Sequence, residues 1–179
     1  MKGIFITFEG IEGSGKSTVA EITGRRFREA GHQTVMTREP GGTAVSERIR
    51  EILLDPEADN MHARAELLLY LASRAQLVEE VIRPGLDAGM VVLCDRFFDA
   101  TTAYQGWARG LGEDLADQLN SFAVQGVIPD LTLLLDLDVD EGFGRGPHRR
   151  EKTGEARRDR LELESEAFHR KVREGYLRI

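Results

Sequence analysis

The chain has 179 residues, 41% of them hydrophobic and 31% charged, which is typical of one folded globular domain and not of a fibre or a disordered tail. Its net charge of −7 argues against bulk electrostatic attachment to nucleic acid or to an anionic membrane. We therefore expect neither as a partner, and any anionic ligand must be held by local positive groups.

Cysteine usage and the N-terminal residues point to the cytoplasm. Cys94 is the single cysteine, which excludes an intrachain disulfide and a cysteine-based metal cluster. Its apolar neighbours predict a buried, unreactive thiol. The first residues lack the apolar core and cleavage site of a secretory signal, and no stretch approaches 18 consecutive apolar residues. We expect a cytoplasmic protein without a membrane span.

A strand at 3–9 and a helix from Lys16 to about Ala30 are the first predicted elements. The turn between them matches the phosphate-binding motif G-x-x-x-x-G-K-[ST]. Glycines let backbone amides turn inward around a phosphate, and the helix N-terminus adds partial positive charge. Lys16 can reach the β- and γ-phosphates, and the Ser17 hydroxyl suits Mg²⁺. We predict ATP phosphate contacts from Gly10, Ile11, Glu12, Gly13, Ser14, Gly15, Lys16, Ser17 and Thr18.

A second strand is predicted at 34–37, and a helix follows from about Val45 to Leu54. Arg38 comes directly after this strand. Because the carboxyl ends of parallel strands share one edge of a sheet, we expect Arg38 to face the same crevice as Lys16. A solvated turn arginine is the alternative.

A long helix is predicted at 63–86, with leucines and valines at helical spacing and Pro84 near its end. Tyr70 and Arg74 lie four residues apart, so they share one face of this helix. An aromatic ring beside a guanidinium can stack on a base and donate to its carbonyl edge. An internal cation–π pair accounts for the same spacing equally well.

Two further strands are predicted at 90–94 and 131–137, both nearly continuous in apolar residues, as in parallel strands covered on both faces. Asp95 and Arg96 follow the first of them. The carboxylate can hold Mg²⁺, and the guanidinium can meet phosphate oxygens. Since helix-sized segments separate all four strands, we predict an α/β fold in which helices flank a mostly parallel sheet.

The segment at 142–160 differs from the rest of the chain because it is rich in glycine and arginine. In an acidic protein such a segment is typical of a mobile cover over an anion. Two or three of its arginines are expected to neutralise charge on a transferring phosphoryl group. The candidates are Arg145, Arg149, Arg150, Arg157, Arg158 and Arg160.

Five separated blocks together resemble the thymidylate kinase family, whose members phosphorylate dTMP at the expense of ATP. The blocks cover nearly the whole chain in the family's order, at 8–17, 37–43, the helix with Tyr70 and Arg74, 95–106 and 159–162. The resemblance implies a P-loop nucleoside monophosphate kinase architecture with an arginine-rich lid at about 142–160. It also implies Mg²⁺ as cofactor, ATP and dTMP as substrates, and a homodimer.

The resemblance also assigns roles to single residues. Tyr70 would stack on thymine, Arg74 would donate to a base carbonyl, Thr101 would lie near the N3–O4 edge, and Tyr104 would lie against the deoxyribose. The full dTMP set is Glu12, Arg38, Tyr70, Arg74, Arg96, Thr101, Tyr104 and Gln105. The catalytic set is Lys16, Arg38, Arg96, Arg145 and Arg149, and the metal would be held by Ser17 and Asp95.

The chain departs from the family pattern in three respects, and two rival functions stay open. The lid segment is longer than usual, Ala100 stands where serine is common, and the family's C-terminal strand and helix are expected to be absent from this single domain of residues 1–179. Another nucleoside monophosphate kinase would share the phosphate loop, Asp95-Arg96 and the lid. A P-loop nucleotide switch without kinase activity is the rival from a different class.

Overall fold

A computed structural model describes residues 3–145 and 159–179. In this part of the chain four strands form one parallel sheet in the order β2-β3-β1-β4. The strands are β1 (Ile4–Glu9), β2 (Thr34–Arg38), β3 (Val91–Asp95) and β4 (Leu131–Leu134). All four were predicted, and the parallel sheet is confirmed.

Helices connect the strands. The longer ones are α1 (Lys16–Glu29), α2 (Ala44–Leu54), α3 (Ala63–Leu77), α6 (Glu113–Val124) and α8 (Glu166–Arg178). The shorter ones are α4 (Arg83–Asp87), α5 (Phe98–Thr101) and α7 (139–145), and π-helical segments occupy Val78–Ile82 and Thr102–Ala108. None of the described helices combines the length and apolar character that crossing a bilayer requires.

Side chains of the central strands alternate between two cores. On one face Phe5 and Cys94 pack with Leu77 and Ile82 of the α3 region, and on the other Ile6 packs near α1. This alternation buries both faces of the sheet under helices, as predicted for an α/β fold. Cys94 is fully buried, so the prediction of a buried thiol is confirmed, and burial raises the pKa of this thiol well above the usual value.

The helix predicted at 63–86 is continuous but not uniform. It widens into the π-helical segment Val78–Ile82 before α4 begins at Arg83. Pro84 has no amide hydrogen for a bond to the carbonyl of Glu80, and the wide turn lies directly before it. The helix therefore reaches Asp87 with a change of pitch that periodicity alone did not reveal.

The prediction that the last strand is covered on both faces was wrong. β4 ends at Leu134, and Leu131, Leu133 and Leu134 are 37–48% exposed. Within the described part of the chain β4 is an edge strand that pairs only with β1. An apolar run indicates a strand, but its burial depends on neighbours that the run does not encode.

Register brings the predicted site residues to one edge of the sheet. Arg38 lies opposite Asp95, and Asp95 lies opposite Phe8, immediately before Glu9 and the glycine loop. Because all strands run in the same direction, each of these strands ends at this edge. The loops that follow the strands build the site described next.

Candidate active site

A cleft of about 1370 Å³ opens at the carboxyl edge of the sheet. Pockets for one small ligand usually measure about 300–1000 Å³, so the cleft between the described walls is large enough for two such ligands. The predicted residues that line it are Glu12, Gly13, Gly15, Lys16, Ser17, Thr18, Arg38, Tyr70, Asp95, Arg96, Thr101, Tyr104, Gln105 and Arg145. One cavity thus collects most of the predicted site.

The glycine loop has the backbone geometry of an anion site. Gly13 and Gly15 have φ angles of 77° and 93°, which residues with a β-carbon rarely adopt. A β-carbon on Gly13 would lie 2.7 Å from the carbonyl oxygen of Gly142. α1 begins after Gly15 without a side-chain cap, so its first amides are available to a phosphate. Gly10, Ile11 and Ser14 shape the loop from behind and do not line the cleft.

Lys16 lies inside this loop. Its Nζ donates to the carbonyl oxygen of Ile11 at 2.7 Å and to Ser14 Oγ at 3.4 Å. Burial, together with the charge of Arg96, lowers the pKa of Lys16 to about 8. A ligand that brings negative charge into the loop therefore stabilises the protonated form of Lys16.

Ser17 and Asp95 form an oxygen pair at the mouth of the loop. Ser17 Oγ donates to Asp95 Oδ2 at 2.5 Å. Mg²⁺ prefers oxygen ligands and is usually held by one or two protein groups together with waters and phosphate oxygens. The chemistry and place of these two side chains fit a magnesium ion bound to a nucleotide.

Glu12, Arg96 and Tyr104 form a connected polar cluster beside the loop. Arg96 Nη2 donates to Glu12 Oε1 at 2.8 Å, and the Tyr104 hydroxyl donates to both Glu12 oxygens at 2.8 and 2.9 Å. Burial would raise the pKa of Glu12, but Arg96, with His169 and Lys16, outweighs it and holds this pKa well below its usual range. Glu12 is therefore a fixed carboxylate.

Arg38 lines the same cleft as Lys16, in agreement with the prediction. Its Nη2 lies 3.0 Å from both carboxylate oxygens of Glu47 on α2. Sequence reasoning missed Arg50, which also lines the cleft and donates to the carbonyl oxygen of Pro40 at 2.8 Å. This wall therefore carries two guanidinium groups, although only Arg38 followed a strand and so stood out.

The opposite wall is formed by α3 and the helical segment after β3. Tyr70, Thr101 and Gln105 line the cleft there. Gln105 is buried, and its Nε2 donates to Glu66 Oε1 at 2.7 Å, which holds the side chain in place. The wall thus combines an aromatic ring, a hydroxyl and an amide, a set that suits a nucleobase.

Arg74 lies beneath this wall and does not line the cleft. Its N–H groups donate to Glu39, Thr101, Asn120 and the carbonyl oxygen of Phe97. These bonds use all five guanidinium hydrogens, so a bond to a base would have to replace one of them. The expected base contact of Arg74 stays a prediction, whereas its contact with Thr101 on the wall is direct.

Arginines of the predicted lid separate into three groups. Arg145, on α7, lines the cleft and donates to the carbonyl oxygen of Gly13 at 3.3 Å. Arg160 is buried and does not line the cleft. Its Nη2 lies 2.6 Å from Glu66 Oε2, which is an ion-pair contact without the geometry of a hydrogen bond. The rest lie outside the described residues, namely Arg149, Arg150, Arg157 and Arg158.

Three buried residues near the site were not found from the sequence. Glu9 accepts from the amide of Phe97 at 2.6 Å, Tyr176 bonds to both Glu9 and Arg96, and His169 Nδ1 lies 3.5 Å from Glu12 Oε2. A carboxylate at the end of a buried strand was a usable signal for Glu9. Tyr176 and His169 had none, because they reach the site from α8 at the far end of the chain.

Glu9 predicts a pH dependence of stability. Burial, only partly offset by Arg96, raises its pKa from 4.5 to about 8. Between these values the native state holds a proton that the unfolded state has lost, so rising pH favours unfolding. The stabilisation of the native state by this proton on Glu9 is complete below about pH 4.5 and is lost as the pH rises through about 8. Glu9→Gln should give a flatter dependence of the unfolding free energy on pH, measured by denaturant titration from pH 5 to 9. Parallel curves for the two proteins would contradict it.

Comparison with known proteins agrees with this geometry. The thymidylate kinase family model matches residues 8–179. The thymidylate kinase of Pelobacter propionicus is 52% identical over 177 residues, covering 99% of this chain and 81% of that protein. The thymidylate kinase of Halothermothrix orenii is 50% identical over 176 residues, with 98% and 83% covered.

A solved structure shows the same relationship in three dimensions. The crystal structure of thymidylate kinase from Ehrlichia chaffeensis superposes with a TM-score of 0.73 at 37% identity, covering 86% of this chain and 90% of that one. The match includes the sheet and the flanking helices and so confirms the predicted architecture.

Proposed function

Because the chain belongs to the thymidylate kinase family, we propose that it transfers the γ-phosphoryl group of ATP to dTMP, giving dTDP and ADP for dTTP synthesis. The observation that carries the proposal is the cleft, in which a phosphate loop faces a wall of base-binding character. This activity makes the chain a phosphotransferase that positions two nucleotides end to end.

Phosphate positioning belongs to the glycine loop. The free amides at the start of α1 bind the β- and γ-phosphates, and Lys16 neutralises their charge. Ser17 and Asp95 would hold Mg²⁺, which when bound supplies charge neutralisation on the phosphate oxygens.

Charge neutralisation on the acceptor side belongs to arginines. The dTMP phosphate is itself the nucleophile and is already largely ionised at neutral pH, so no strong general base is needed. The obstacle is repulsion between two polyanions, which Arg38, Arg96 and Arg145, all lining the cleft, reduce. Arg149, the other arginine of the proposed catalytic set, lies outside the described residues.

Selection of thymine belongs to the wall opposite the loop. We assign base stacking to Tyr70, the base edge to Thr101 and Arg74, and the sugar to Tyr104, whose hydroxyl is fixed by Glu12. Gln105 completes the pocket. The ring of Tyr104 beside the sugar disfavours a 2′-hydroxyl, which selects deoxyribose over ribose.

The setting of the reaction extends the proposal. The proposed cellular site is the cytoplasm, where ATP and dTMP are both present, and the proposed assembly is a homodimer packed through helices. Exposed apolar side chains on α3 and α6, Leu68 at 60% and Phe122 at 78%, support a helical interface.

Product analysis tests the proposal. With ATP, Mg²⁺ and dTMP, the purified chain should form dTDP with one ADP per turnover, and dTMP should be turned over faster than dUMP or CMP under equal conditions. Faster turnover of dUMP or CMP would indicate another nucleoside monophosphate kinase. Free phosphate without dTDP would indicate a nucleotide switch.

A further inference from the structure

Tyr176 connects α8 to the charged groups beneath the cleft. Its side chain is only 5% exposed. Its hydroxyl accepts a hydrogen bond from Arg96 Nη1 at 2.9 Å and donates to Glu9 Oε2 at 2.9 Å. A hydroxyl can accept and donate at once, so this one atom joins a guanidinium to a buried carboxyl group.

Arg96 is held on several sides. Its backbone is left-handed, with φ of 70°, a conformation that is unfavourable in residues other than glycine. Nη1 also donates to the carbonyl oxygen of Gly10 at 2.8 Å, Nη2 donates to Glu12, and the guanidinium lies 5.2 Å from the centre of the Tyr104 ring. A strained backbone persists where surrounding contacts over-determine it, and such positions cluster at functional sites.

We propose that Tyr176 is a positioning residue that holds Arg96 where it meets the phosphate of dTMP. The inference rests on the proposed function and adds to it a residue of α8 that lies outside all five sequence blocks. The hydroxyl occupies the space between Arg96 and Glu9, so the guanidinium stays on the cleft side and does not turn toward the buried carboxyl group. Phenylalanine at this position would offer neither bond.

The neighbouring contact of α8 supports this role. His169 lies seven residues before Tyr176, on the same helix face, and its Nδ1 lies 3.5 Å from Glu12 Oε2. α8 therefore touches both members of the Arg96–Glu12 ion pair, one through each side chain. α8 packs against the segment Thr102–Ala108, which carries Tyr104, so one helix supports the whole cluster.

The first test is Tyr176→Phe, which removes one oxygen from a buried ring. We expect kcat/KM for dTMP to fall about tenfold, because a misplaced charge loses part of its effect on the reacting phosphate, whereas KM for ATP should change less than twofold. Thr7→Val is the matched control, since Thr7 is fully buried and its hydroxyl bonds only that of Thr132 among the described residues. It should lower the melting temperature about as much and leave kcat/KM unchanged.

The decisive measurement is a double-mutant cycle with Arg96→Lys. If Tyr176 acts through Arg96, adding Tyr176→Phe to Arg96→Lys should cost less than twofold. A full tenfold loss in both backgrounds, or a loss below twofold in the wild-type background, overturns the inference. Absence of dTDP formation by the wild-type chain would instead contradict the proposed function.

A readout independent of turnover keeps the inference testable. In nitrogen-15 NMR spectra of the free wild-type protein, the Arg96 Nη resonances should be separate because guanidinium rotation is restrained. In Tyr176→Phe they should broaden or merge, and in Thr7→Val they should not change. Identical Arg96 signals in all three proteins would overturn the positioning role.

Discussion

Replacing Lys16 by alanine is expected to lower kcat about 10²–10³-fold, the usual cost of removing one charged or hydrogen-bonding group that stabilises a transition state. The Nζ lies within the phosphate loop, 2.7 Å from the carbonyl oxygen of Ile11, and the side chain is 7% exposed. Within the described residues no other lysine lines the cleft, so no second ammonium group can take the place of Nζ inside the loop. Steady-state rates at saturating ATP and dTMP measure the loss.

Two further variants sharpen this test. Lys171→Ala removes an exposed lysine from α8 and should leave kcat unchanged, which controls for the loss of one positive charge. Lys16→Arg keeps the charge but not the compact ammonium group, and we expect an intermediate rate. A near-normal rate for Lys16→Ala would overturn the assignment of this loop to ATP.

The phosphate loop could be predicted because the residues that form it are consecutive in the sequence. A buried strand, a glycine turn and a helix start follow one another within about twenty positions, and each has its own local pattern. The same reasoning placed Arg38 and Asp95 correctly, since the carboxyl ends of parallel strands share one edge. The position of these two residues at the end of a strand was therefore enough to predict where they lie.

The buried networks could not be predicted in this way. Arg74 meets Glu39, Thr101 and Asn120, which lie 35, 27 and 46 positions away in the chain. Helical spacing could place Arg74 on the same face as Tyr70, but it could not show that this face is turned partly into the core. Which polar groups satisfy one another inside a fold is a tertiary property.

The edge position of β4 could not be predicted from the sequence for the same reason. The residues of β4 read as a covered strand, yet three of its leucines are 37–48% exposed. Similarly, Arg160 resembled a phosphate ligand in an arginine-rich segment, but it pairs with the fully buried Glu66. In both cases the local sequence pattern indicated a strand or a charged ligand, but contacts with other parts of the chain determined how exposed the strand is and which group the arginine pairs with.

Arg74→Ala is expected to weaken dTMP binding at least tenfold and ATP binding by less than twofold. The guanidinium fixes Thr101, which lines the cleft, and it neutralises Glu39, which is 5% exposed. Removing one partner of a buried ion pair leaves an uncompensated charge, which typically costs about 3–5 kcal/mol of stability. Calorimetric titration with each nucleotide and denaturant unfolding measure the two effects. Equal losses for ATP and dTMP would contradict the role at the base wall.

A second variant separates the effect of the buried charge pair from the hydrogen bonds that Arg74 makes toward the cleft. Arg74→Met combined with Glu39→Gln removes both charges of the buried pair, and such neutral replacements are often tolerated. Stability should then recover. If Arg74 acts on dTMP only by neutralising Glu39, affinity recovers with stability in the double variant; if it donates to the base or fixes Thr101, dTMP affinity stays low, because methionine makes neither bond. Arg83→Ala, which breaks a partly exposed pair with Glu79 on the same long helix, should change neither quantity by more than about 1 kcal/mol.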